Sequence, residues 1–140
     1  MKADTSMSLQ RSWPTLFAAA VMAVATAAPA HAAWVSYQKR ADADELYDSA
    51  FLSNEQGRVK LWTLTNFAKP LTSLEAKEYA SEKTLTTIDC ASRKVGAEQV
   101  VRYTGKDGQG AVVGDMQTPL RLTAVRPGST DEELVSKICQ

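Results

Sequence analysis

The stretch that decides the fold is RVKLWTLTNF, Arg58–Phe67. At the two-residue period of a strand, Val59, Leu61, Thr63, Thr65 and Phe67 share one face, and Lys60, Trp62, Leu64 and Asn66 share the other. Neither face is purely polar. The segment therefore reads as a central strand with something covering part of both sides.

Working outward, most of the chain carries the same signature. AWVSYQ (Ala33–Gln38) and ELYDSAFL (Glu45–Leu52) are short and rich in aromatic or apolar residues. KEYASEKTLTTIDC contains a β-branched run from Thr84 to Ile88, and EQVVRYT and GAVVGDM flank GKDGQG. Asp107-Gly108 in that connection is a hairpin signal, because glycine tolerates positive φ at little cost. LRLTAV (Leu120–Val125) reads as the last strand. Strands following one another through short connections pair antiparallel.

The ending changes period. After Pro127-Gly128, Ser129 stands three residues before Glu132, a capping-box spacing, and Thr130 and Glu133 repeat it one step along. Acidic residues at 131 to 133 and Lys137 suit the two ends of a helix dipole. Leu134, Val135, Ile138 and Cys139 form one apolar stripe. A helix this short is marginal alone, so it must dock on the sheet.

The chain has two cysteines, Cys90 and Cys139. Cys90 follows Ile88 at the strand period, and Cys139 lies on the helix stripe. Their pairing would fasten the last helical turn to the sheet, closing a loop of about 50 residues worth roughly 4 kcal/mol in the chain-entropy model.

Residues 1–32 read as a signal peptide. Lys2 and Arg11 precede an apolar run from Trp13 to about Ala28, and Ala30-His31-Ala32 has the small-x-small pattern of a cleavage site. The run is shorter than the roughly 20 residues a membrane span needs. The expected product is one domain, residues 33–140, exported to the periplasm or beyond, where a disulfide is the expected state of two cysteines. No cysteine lies near the cut, so no lipid anchor is expected. Lys2, Arg11 and Asp4 leave with the leader, and the remainder carries one more acidic than basic residue. Such a balance offers no general attraction for nucleic acid.

The only histidine, His31, lies in the leader. Ser-His-Asp triads, Cys-His dyads and His-ligated zinc are thereby excluded from the mature chain. ADADELYD resembles a calcium loop only in its acidity: counted from Asp42, an EF-hand needs glycine sixth and glutamate twelfth, where Tyr47 and Ser53 stand. It reads as a solvated turn before a strand. GKDGQG lacks the G-x-G-x-x-G spacing and reads as a turn. No cofactor and no metal are expected. A histidine-free glycosidase would need two converging carboxylates, and nothing in the sequence brings two together. The candidate ligand-binding residues are Lys77, Lys83, Arg93, Lys94 and Arg102, with Trp62 and Tyr103 as candidate interface aromatics.

YDSAFL, GRVKLWTLTNFAKP, EYASEKTLTTIDCASRKV, GQGAVV and VRPGSTDEELVSKIC occur in this order over Glu45 to Cys139. Together they resemble the surface-adhesin protein E-like family of Gram-negative bacteria. The resemblance implies an antiparallel sheet with a C-terminal helix locked by a disulfide. It also implies attachment to host matrix or plasma proteins such as vitronectin, laminin and plasminogen, through the counterpart of Lys77 to Arg102.

The expectation is therefore an α+β domain of about six antiparallel strands with a C-terminal helix packed on one face and one disulfide. Its expected role is an exported, non-enzymatic module for a protein ligand, with a homodimer as a further candidate. The alternative is a soluble periplasmic accessory protein with no host ligand.

Overall fold

The alternation of residues 58–67 continues in both directions as strand β3, Arg58–Thr72, in the computed structural model, which describes residues 31–140. The leader expected over residues 1–32 lies, but for its last two residues, outside that range. β3 is third of six strands laid side by side in chain order, each antiparallel to the next. The others are β1 (Trp34–Lys39), β2 (Ala43–Glu55), β4 (Glu78–Asp89), β5 (Lys94–Tyr103) and β6 (Val112–Gln117). The register is anchored by Leu46 opposite Leu64, Trp62 opposite Leu85, and Val59 opposite Ile88. It shifts between Asn66 and Leu71. Pro70 falls in that irregular stretch, consistent with a residue that has no N–H to give a ladder.

Leu120–Val125, expected to be a full strand, contributes only β7, Thr123–Ala124, paired with Lys94 and Val95. β6 already pairs with β5 from Gln99 to Tyr103, so the returning chain finds only the near end of that edge open. GKDGQG does join two antiparallel strands, but as a longer loop than a two-residue hairpin. Asp107 and Gly108 both have positive φ within a 3-10 turn at Lys106–Gly108. ADADELYD is less solvated than expected. Only its start is a turn, and Glu45 and Asp48 are buried within β2.

The helix α1 spans Thr130–Ile138. Of the two capping positions the sequence allows, Ser129 is the one used: its Oγ accepts from the Glu132 N–H, while the Glu132 carboxylate accepts from the Gly128 N–H. Leu134 and Val135 are buried against Leu61, Ile88 and Val95, with Tyr37, Tyr47 and Val59 around them. The helix thus rests on the odd-numbered face of β3. The Arg40 guanidinium donates to the Thr130 hydroxyl, tying the helix start to the β1–β2 turn. Cys90 and Cys139 are bonded across 49 residues of chain and fasten the other end.

Breaking that bond by Cys139→Ser is expected to cost about 2–4 kcal/mol in denaturant unfolding. Amide exchange should show α1 opening well before β3 and β4. A variant whose helix and sheet still exchange as one unit would contradict this account of the disulfide.

Candidate ligand-binding face

The even-numbered face of β3 has no helix on it, and the strand pairing determines what gathers there. Leu64 lies opposite Lys83, Lys83 opposite Val101, and Trp34 opposite Asp48. Tyr103 lies opposite Ser81. The outcome is a shallow cavity of about 230 Å³ lined by Trp34, Asp48, Trp62, Lys83 and Tyr103.

Lys83 is its centre. Its Nζ lies 5.2 Å from the Tyr103 ring centroid and 5.5 Å from that of Trp34, within cation–π range of both. The lysine stem is held from below by the β5–β6 loop. A Cβ at Gly108 would fall 2.1 Å from Lys83 Cε, so a side chain there would push the lysine's flexible end aside, and the φ of +65° favours glycine as well. That loop is pinned in turn. Asn66 and Asp107 exchange two hydrogen bonds of 2.7 Å, and Ser81 Oγ donates to the Gly105 carbonyl and accepts from the Gly108 N–H. Asp48 plays a different part. One of its carboxylate oxygens accepts from the Ala33 and Ala50 N–H groups, both at 2.9 Å, and so holds the start of β1 and the irregular stretch of β2.

Three of the residues singled out in the sequence, Trp62, Lys83 and Tyr103, therefore meet in one place. The other four do not join them. Lys77 lies in the β3–β4 connection and pairs with Glu75 at 3.2 Å. Arg102 is turned to Glu82 at 2.8 Å and stacks over Tyr79, 4.7 Å from its centroid. Glu82 and burial act oppositely on its guanidinium, with the Glu82 hydrogen bond dominant. Arg93 and Lys94 lie at the β4–β5 turn, where Arg93 is 3.8 Å from Glu132 of the helix. Closeness in sequence to Cys90 did not make these cations a patch, because a strand sends neighbours to opposite faces. Sequence reasoning passed over Trp34; the signal was its place in AWVSYQ, three positions from Tyr37, an aromatic of the other face.

Farther along, Glu98 accepts from the Thr87 hydroxyl at 2.6 Å and from Lys60 Nζ at 2.9 Å. Those two contacts, Thr87 first, hold its carboxyl below the ordinary value. Among the described residues, no group of three or more His, Cys, Asp or Glu is placed to hold a metal ion. Nor is any helix among them long and apolar enough to cross a membrane.

The family profile described as surface-adhesin protein E matches residues 34–140. Among solved structures, protein E from non-typeable Haemophilus influenzae superposes with a TM-score of 0.61 at 18% identity, covering 84% of this chain and 81% of that one. Crystal form II of Haemophilus influenzae protein E gives 0.60 at 16%, covering 74% and 91%. A further Haemophilus influenzae protein E structure gives 0.58 at 17%, covering 74% and 87%. At these identities the likeness establishes a shared fold. No curated protein sequence matches significantly.

Lys83→Met keeps the apolar stem and removes only the charge, so its expected cost is about 1 kcal/mol or less in thermal unfolding. Asp48→Ala strands two backbone donors and is expected to cost more, about 1–3 kcal/mol. Equal losses would contradict the division between a half-buried cation whose stem packs and a structural carboxylate that holds two backbone donors. Glu98 titrates lower folded than unfolded, so its contribution is present above the unfolded pKa and fades as pH falls through the folded one. Glu98→Gln should therefore unfold earlier than the parent in urea at pH 7 and match it near pH 2.

Proposed function

The chain belongs to the surface-adhesin protein E family, and from that premise we propose that it is an exported protein-binding module whose contact surface is the helix-free sheet face. The observation that carries the reading is the convergence of Trp34, Trp62, Lys83 and Tyr103 around one shallow cavity. Aromatic residues contribute disproportionately at protein interfaces, because they bury large areas with few rotatable bonds. A lysine between two rings adds charge at the centre of an otherwise apolar contact. Trp62 is half-buried on a strand that central sheet pairing holds on both sides, so presenting it to a partner costs little ordering.

The ligand class is a host matrix or plasma protein, and vitronectin, laminin and plasminogen are the first to test. Export through the leader of residues 1–32 belongs to the same proposal. A protein partner within the envelope is the second reading, and it uses the same face. A second copy of the chain is a third occupant for that surface.

Purified protein immobilised on a biosensor is expected to bind at least one of the three host proteins. Trp62→Ala should then weaken binding by about 2 kcal/mol, roughly thirtyfold, without altering the melting temperature by more than a few degrees. Recovery of the native protein solely in osmotic-shock fluid, with no binding to any of the three, would overturn the host-ligand reading in favour of the envelope one. Sedimentation as a monomer at high concentration would remove the second copy as occupant.

A further inference from the structure

The helix covers only part of its own face, and beyond Leu134 the sheet opens into a polar cleft of about 500 Å³. Its size lies within the range of small-ligand sites. Its lining does not: such sites are usually apolar, whereas this floor is made of threonines from β3 and β4.

Thr63 and Thr86 are 8% and 5% exposed and line the cleft. Their hydroxyl oxygens are 3.4 Å apart, and Thr63 Oγ1 is also 3.4 Å from the Thr84 carbonyl. Good O–H···O bonds measure about 2.5–3.0 Å, so both hydroxyls are under-satisfied. Valine would fill the same volume with no polar atom to bury, next to a core of leucine, isoleucine and valine. Two buried hydroxyls whose internal contacts are long therefore face an open cleft, where a ligand hydroxyl can offer a shorter one.

The walls supply the remaining chemistry. Glu45 accepts from Thr65 Oγ1 at 2.7 Å and pairs with Arg40 at 3.1 Å, and burial raises its pKa. Arg121, from the segment before β7, and Asp131, at the helix start, also line the cleft. The Arg121 wall is fixed closely: a Cβ at Gly96 would come within 2.5 Å of the Arg121 carbonyl oxygen. The charged residues of the lining balance, Arg40 and Arg121 against Glu45 and Asp131, which disfavours an anion or a cation as ligand. Hydroxyls that donate or accept, beside a carboxylate that accepts, match a molecule rich in vicinal hydroxyls.

We propose that this cleft binds a neutral mono- or disaccharide. The site lies on the opposite sheet face from Trp62 and Lys83 and does not depend on them.

The test is a heteronuclear NMR titration of the protein with galactose, mannose, lactose, N-acetylglucosamine and chitobiose. The panel samples neutral hexoses and N-acetylhexosamines as mono- and disaccharides. Saturable shifts are expected at the amides of Thr63, Thr65, Thr84 and Thr86, with those of Trp62 and Lys83 unmoved. The double variant Thr63→Val, Thr86→Val is expected to weaken binding at least tenfold while melting at or above the parent's temperature. Absence of saturable shifts with all five sugars would overturn the proposal. So would a double variant that binds sugar unchanged, or one that melts well below the parent, since the hydroxyls would then serve the fold.

Discussion

The rest of the structure depends on one contact, the seating of Leu134 and Val135 on Leu61, Ile88 and Val95. A six-stranded open sheet must bury at least one face, and the described residues include only nine in an α-helix with which to do it. Such a helix would not persist in water by itself. It is held at three points that act on different parts of it: the apolar pair in its middle, the Arg40–Thr130 contact at its start, and the disulfide at its end. Its shortness also shapes what the molecule can do. One face is covered only in part, leaving a polar cleft, and the other has only a loop across one end, leaving the aromatic cavity.

Much of this architecture is readable from residue order. The alternation in Arg58–Phe67, the capping-box spacing at Ser129 and the matched periods of Ile88–Cys90 and Val135–Cys139 act locally, and local signals survive folding. What escaped was set by competition between distant segments. The last strand shrinks to Thr123–Ala124 because β6 already occupies most of the β5 edge, a fact no window around Leu120 contains. Asp48 and Glu45 look like solvated acids in ADADELYD, yet each is buried. Asp48 is retained by the N–H groups of Ala33 and Ala50, and Glu45 by Thr65 and Arg40.

The candidate site follows the same division. Trp62 and Tyr103 stand out by residue type, and Lys83 by charge. That the three meet depends on strand pairing, which also carries Arg102 to the other face and Arg93 to the far turn. Trp34 joins them through the pairing of β1 with β2, which brings it to within one strand of β3 although it stands 28 residues before Trp62 in the sequence. The threonine floor was visible as a β-branched run, TLTT, and as Thr63 and Thr65 of β3. Strand propensity explained those residues so well that their hydroxyls attracted no notice.

The position of the core's last two members has a consequence for biogenesis. Chains emerge from the ribosome N-terminus first, and domains generally fold as units. Leu134, Val135 and Cys139 follow every strand in chain order, so a nascent chain of strands alone can neither close this interior nor form its cross-link. Until α1 emerges the sheet has no lid, and the interior closes in the same step that brings the two cysteines together.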